Sequence, residues 1–116
     1  MHKQSVGVNL DASGGAITDQ EVFRVPVGYK AIVTMFFMSN TGGSTTTVGA
    51  KWHDGSTVPF LGGKSLGAGD YLQFGGPEGA FLSMNEDDHI DVSVASGGVV
   101  GLILSYVLLR QDSQIY

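Results

Sequence analysis

Two stretches of the chain are apolar at consecutive positions, where most strands alternate apolar with polar residues. They span residues 31–38 and 99–109. Successive side chains of a β-strand point to opposite faces, so a strand that is apolar throughout has two faces to bury. A small two-layer domain covers only one of them. We therefore predict that the second face packs against other copies of the chain or against a larger assembly.

The other apolar segments are short and are separated by residues that favour turns. Residues 89–95 alternate most regularly, which directs Ile90, Val92 and Val94 inward and Asp91 and Ser93 outward. Five Gly-Gly pairs fall between apolar runs, where turns are expected. A turn at 40–44 is predicted to close a hairpin between the third and fourth strands. The predicted strands are 5–10, 21–25, 30–40, 45–53, 57–61, 70–74, 80–84, 89–95 and 99–110.

This succession of eight or nine short strands, with no convincing helical period, predicts an all-β fold. The spacing of the turns is typical of an antiparallel β-sandwich, jelly-roll-like in arrangement. At 116 residues the chain is predicted to form a single domain over 1–116, with polar termini at 1–4 and 111–116.

Composition limits the partners that we expect for this domain. Charged residues make up 15% of the chain, against about 25% in typical soluble domains, which suits a protein whose surface is largely covered. The net charge is −5 and the six basic residues form no run, so no nucleic-acid partner is expected. The first residues lack a signal peptide's apolar stretch, and 99–109 is shorter than the ~20 residues of a membrane helix. We therefore expect no membrane partner and synthesis in the cytoplasm.

No motif in the chain predicts catalysis. The segment 62–65 resembles the end of a phosphate-binding loop, but Val58 stands where that loop needs its first glycine. The Gly-x-Ser-x-Gly motif of serine hydrolases does not occur. Without cysteine, the chain has neither a disulfide nor a thiolate zinc site. The sequence predicts no catalytic residue, no cofactor and no enzymatic activity.

Histidines and carboxylates, the residue types of metal and acid–base sites, occur together at two places. The first is His53-Asp54 and the second is the segment 87–91, which contains His89 and Asp91. We interpret both as turn-forming segments. The second would be a solvated acidic corner that limits edge-to-edge pairing between sheets. A calcium site of carboxylates and carbonyls at that corner is the alternative. The prediction is that the chain holds no metal.

Aromatic residues offer one further binding hypothesis. Trp52, Tyr71 and Phe74 would form a sugar-stacking platform if they shared a surface, as in carbohydrate-binding sandwiches. Trp52 lies in an alternating strand, so we favour core packing for it.

The order of turns and strands resembles a known family. An apolar strand follows Val25-Pro26-Val27-Gly28, an Asn40-Thr41 turn comes next, and then a Thr/Val strand. The segment 66–70 matches a recurrent Leu-x-Ala-Gly-(Asp/Glu) turn. Residues 84–96 resemble the strand Leu-x-x-Gly-Asp-x-Ile-x-Val-x-Ala-Ser, although Asp87 replaces its glycine. Over about 21–108, the chain resembles small all-β virion proteins of tailed bacteriophages.

That resemblance implies a structural role in a virion. In this family, domains of this size are capsid decoration (cement) proteins, or tail, adaptor or fibre-associated proteins with host-receptor or glycan contacts. A decoration protein typically sits as a homotrimer on the outer capsid surface and bridges copies of the major capsid protein. We expect the first role, with homo-oligomer or capsid contacts made by apolar residues of the two long strands. The residues predicted for that interface are Phe36, Met38, Ile103, Val107 and Leu109. Which strand face is core and which is interface is left open by the sequence.

Overall fold

A computed structural model describes residues 3–76 and 80–111. These residues form nine β-strands and no α-helix, so the all-β prediction is confirmed. The strands are β1 (Lys3–Asp11), β2 (Ile17–Arg24), β3 (Tyr29–Asn40), β4 (Thr46–His53), β5 (Thr57–Leu66), β6 (Tyr71–Gly75), β7 (Leu82–Met84), β8 (His89–Val94) and β9 (Val99–Arg110). The first strand begins earlier than the predicted 5–10, because residues 3 and 4 pair with Val107 and Tyr106 in β1. Residues 1–2 and 112–116 lie outside the described residues.

The strands form two antiparallel sheets. Sheet A has the order β1-β9-β3-β6, with β7 also paired to β3, and sheet B has the order β2-β8-β4-β5. The chain changes sheet after every strand except β4 and β6. This order is that of a jelly roll in which β6 and β7 together take one strand position, which confirms the predicted antiparallel sandwich.

The predicted hairpin at 40–44 is wrong, because this turn carries the chain from sheet A to sheet B. The side chain of Asn40, only 1% exposed, holds the crossing in place. Its Nδ2 donates to the carbonyl oxygens of Ser44 and Leu66 at 2.8 and 3.0 Å, and its Oδ1 accepts from the Gly42 amide at 2.9 Å. With these three hydrogen bonds, the buried side-chain amide of Asn40 replaces the backbone hydrogen bonds that a hairpin would have formed.

One Gly-Gly pair lies inside a strand instead of in a turn. Gly62 and Gly63 belong to β5, where the register with β4 shifts between Val48 and Gly49. Gly63 has φ of +110°, a conformation that other residues rarely adopt, so the pair forms a β-bulge and the strand continues to Leu66. The segment that resembles a phosphate-binding loop is therefore extended strand.

The core lies between the two sheets, and aromatic side chains join them. Phe60 from sheet B contacts Phe36 and Phe81 from the sheet A side, with ring centroids 5.4 and 5.5 Å apart. At another point Phe23 of β2 meets Tyr106 of β9 at 4.6 Å. The fully buried large residues are Phe36, Leu10, Met38, Leu66, Met84, Ile90, Leu102, Leu104, Val25, Val33, Val48 and Val92.

Candidate functional site

The face of sheet A that points away from the core carries a continuous apolar surface. Register places Ile103 of β9 opposite Phe37 of β3, and Val107 opposite Ile32. None of these side chains packs against the core cluster. We call this surface the outer apolar face, and it consists of Ile32, Met35, Phe37, Ile103, Val107 and Leu109.

A β-bulge at Thr34 decides which residues of β3 reach this face. The register with β9 shifts between Val33 and Met35, and the Thr34 hydroxyl donates to the Ser105 carbonyl oxygen at 3.2 Å. The extra residue reverses the alternation of side chains along the strand. Val33 and Phe36 therefore both point inward, although three positions separate them.

Because of this bulge, part of the predicted interface is wrong. Phe36 and Met38 are 0% exposed and belong to the core, so they cannot offer a contact surface. An alternation counted through Thr34 without a bulge would have placed them on the same face as Ile32. The other predicted residues lie on the outer apolar face: Ile103 is 43% exposed, and Val107 and Leu109 are half-buried.

The centre of the outer apolar face carries no charge. The charged residues of the sheet A strands, which are Lys3, Asp11, Lys30 and Arg110, stand at the end of their strand or one position inside it. The polar groups in between are small or neutral. Ser5 and Ser105, for example, hydrogen-bond to each other at 3.0 Å. A face of this kind loses little hydration when a second surface covers it.

The outer apolar face is also concave at one place. A cavity of about 490 Å³ opens above Gly7 and Gly101, which lack side chains to fill it, and Phe37 and Ile103 form part of its walls. Phe37 stacks on Tyr71, with ring centroids 5.5 Å apart, and Tyr71 itself is 64% exposed. The concavity gives a partner surface a place to insert a side chain.

The outer side of sheet B carries charged side chains by contrast, and it contains a cluster that the sequence analysis did not assemble. His53 and His89 are direct partners across β4 and β8, and their rings stack at 4.3 Å. Asp91 lies two residues further along β8 and contacts both rings, with Oδ2 3.0 Å from His53 Nε2 and Oδ1 2.8 Å from His89 Nδ1. We call these three residues the histidine–aspartate cluster.

Only part of the predicted acidic corner joins this cluster. Asp91 points outward as predicted, yet it is 7% exposed because the two imidazole rings cover it. Asp88 is buried at the corner and accepts from the Asn85 amide at 2.9 Å. Asp54 binds Ser56 within the β4–β5 turn. The sequence signal that could have found the cluster is that His53 ends one strand and His89 begins another. If these two strands pair antiparallel, the two histidines lie side by side.

Glu21 and Arg24 border the histidine–aspartate cluster from β2. Arg24 Nη2 lies 2.6 Å from Glu21 Oε1, and Nη1 donates to the Asp87 carbonyl oxygen at 3.2 Å. Hydrogen bonding from Arg24 lowers the pKa of Glu21 below its ordinary value. Glu21 Oε1 also lies 3.8 Å from His89 Nδ1, so an ionised carboxylate stands beside the cluster.

The aromatic trio does not form a glycan platform. Trp52 packs against the core from sheet B, as favoured by its place in an alternating strand, whereas Tyr71 lies on sheet A. Phe74 packs in the aromatic core, 5.3 Å from Phe81. The three rings therefore do not share one surface.

Fold and surfaces together define an antiparallel β-sandwich with an apolar outer face on sheet A and charged side chains on the outer side of sheet B. No protein-family model matches the chain, and no curated protein matches it. A solved structure, the crystal structure of PirA, is similar to it with a TM-score of 0.45 and 18% identity, over 88% of this chain and 91% of that chain. Among the described residues, no helix is long and apolar enough to cross a bilayer.

Proposed function

We propose that the protein is a structural subunit that assembles by burying its outer apolar face against further copies of the chain. The observation that carries the proposal is the uncharged apolar surface centred on Phe37 and Ile103. Large apolar patches that no other element covers are typical of protein interaction sites.

The size of this face supports a protein partner. The strands of sheet A have nine residues in β1, twelve in β3, twelve in β9 and eight in β6 and β7 together. At about 3.3 Å per residue and about 4.8 Å per strand, the outer side of the sheet covers roughly 650 Å². Standard interfaces take about 600–1,000 Å² from each partner. The face is therefore large enough to hold two subunits together.

Charge supports a second copy as that partner. The chain carries a net charge of −5, so copies repel one another in general. The centre of the outer apolar face has no charged residue, and it is the surface on which two copies meet without bringing like charges into contact. Sheet B instead exposes Asp19, Glu21, Arg24 and Lys51.

We further propose that this assembly is a capsid decoration protein of a tailed bacteriophage, a homotrimer on the outer capsid surface that bridges copies of the major capsid protein. Its support is the order of turns and strands over 21–108, together with the outer apolar face. The alternative from the same resemblance is a tail, adaptor or fibre-associated protein.

Electron microscopy of gold-labelled phage particles tests the virion role. An antibody to this chain is expected to label particles over the whole head, because a decoration protein repeats with the capsid lattice. Label confined to one vertex would replace the decoration role by the tail role. Particles that carry no label, beside a cell lysate that contains the protein, would contradict both.

A further inference from the structure

We propose that the histidine–aspartate cluster is a binding site for a divalent transition-metal ion of the zinc type. The cluster lies on sheet B, on the opposite side of the molecule from the outer apolar face, and this proposal does not depend on that face. Two imidazoles and a carboxylate are a ligand set that zinc uses in proteins.

The ligand atoms are already close to the required spacing. In a tetrahedral zinc site with bonds of 2.0–2.2 Å, neighbouring ligand atoms are about 3.3 Å apart. Here Asp91 oxygens lie 3.0 Å from His53 Nε2 and 2.8 Å from His89 Nδ1. All three ligand atoms can be chosen within 4.8 Å of one another.

An unsatisfied nitrogen points to the same ligand. His53 Nε2 is buried and forms no hydrogen bond, although Asp91 Oδ2 is 3.0 Å away. A buried polar atom without a hydrogen-bond partner costs free energy. The other ring nitrogen, Nδ1, lies 3.0 Å from the Thr57 hydroxyl. When Nδ1–H donates to that hydroxyl, Nε2 carries the lone pair that a metal ion would satisfy.

The surroundings balance the charge of the ion and leave room for a fourth ligand. Asp91 supplies one negative charge, and Glu21 supplies a second from 3.8 Å beyond His89 Nδ1. Arg24 faces this region too, but Glu21 and the Asp87 carbonyl oxygen hold its guanidinium. A cleft of about 270 Å³, bordered by both histidines, opens beside the cluster. Glu21 or water would complete the coordination.

Isothermal titration of the full chain with Zn²⁺ tests this proposal. We expect one ion per chain, and His53→Gln and His89→Gln are each expected to weaken binding at least ~100-fold, a larger loss than that of a supporting residue. Thr57→Val is expected to weaken it about tenfold through the orientation of His53, with Thr57→Ser restoring the wild-type value.

Two control variants separate this site from unspecific binding. Asp19→Asn removes a carboxylate from the same face but no proposed ligand, and His2→Gln removes the third histidine of the chain. Both are expected to bind Zn²⁺ as the wild type does. Circular dichroism with a chelator present verifies that each variant is folded. The proposal is overturned if Zn²⁺ fails to bind, or if binding survives in the folded His53→Gln/His89→Gln double variant.

Discussion

For Asp91, the sequence pattern predicted the direction of the side chain but not its burial. Alternation along residues 89–95 placed its side chain on the outer side of β8, and that orientation is confirmed. Its burial was not predictable, because the covering rings come from His53 on another strand and from His89 two residues earlier. Side-chain direction follows from the local period of a strand, whereas burial depends on partners that only the sheet register supplies.

At this scale we predict that Arg24 sets the titration of Glu21. Arg24→Gln removes the hydrogen bond that lowers the pKa of Glu21, so this pKa should return toward its ordinary range. Because the folded-state pKa is lowered, the pair contributes stability above the ordinary carboxyl pKa. That contribution is lost as the pH falls through the lowered value.

Carbon-13 NMR titration of the Glu21 carboxyl measures this shift. The stability difference between wild type and Arg24→Gln should be largest at neutral pH and disappear in acid, once Glu21 is protonated in both proteins. Lys51→Gln breaks the exposed pair with Asp19 and serves as the control that leaves Glu21 unchanged. Identical Glu21 titrations in wild type and Arg24→Gln would refute the assignment.

At the scale of elements, the existence of nine strands was predictable from apolar segments between turn residues, although β5 continues through Gly62 and Gly63 to Leu66. Their assignment to sheets was not. The segment at 40–44 has the composition of a hairpin turn, but Asn40 bonds to Ser44 and Leu66 and directs the chain into the other sheet. The bulge at Thr34 was equally hidden, since one extra residue in a uniformly apolar strand leaves no trace in the polarity pattern. The bulge explains why only some predicted interface residues reach the surface.

The bulge predicts opposite outcomes for two adjacent phenylalanines. Phe36→Ala should lower the free energy of unfolding by about 3–5 kcal/mol, because it empties a fully buried position. Phe37→Ala should cost the single chain only about 0.5–1.5 kcal/mol, mainly its stacking on Tyr71. Urea denaturation at a protein concentration too low for association compares the two. Equal losses would show that Phe37 is as much a core residue as Phe36, contrary to this register.

At the scale of the whole molecule, the two outer faces of the sandwich differ in their charge. Sheet A presents an apolar surface without central charge, and sheet B presents ion pairs and the histidine–aspartate cluster. The sequence indicated the apolar side through its two uniformly apolar strands, which lie next to each other as β3 and β9. It did not indicate that His53 meets His89 and Asp91, because more than thirty positions separate His53 from the other two residues and only the β4–β8 pairing brings them together.

The most direct test of the account is the mass of the protein in solution, measured by sedimentation equilibrium at micromolar concentration. The wild type is expected to form an oligomer of 12.1 kDa chains. Ile103→Asp, which places a charge at the centre of the outer apolar face, is expected to be monomeric. Val58→Asp is the matched control, since Val58 is 40% exposed and Ile103 43%, and it should remain oligomeric. A monomeric wild type, or an Ile103→Asp variant that assembles as the wild type does, would contradict the assembly role of sheet A.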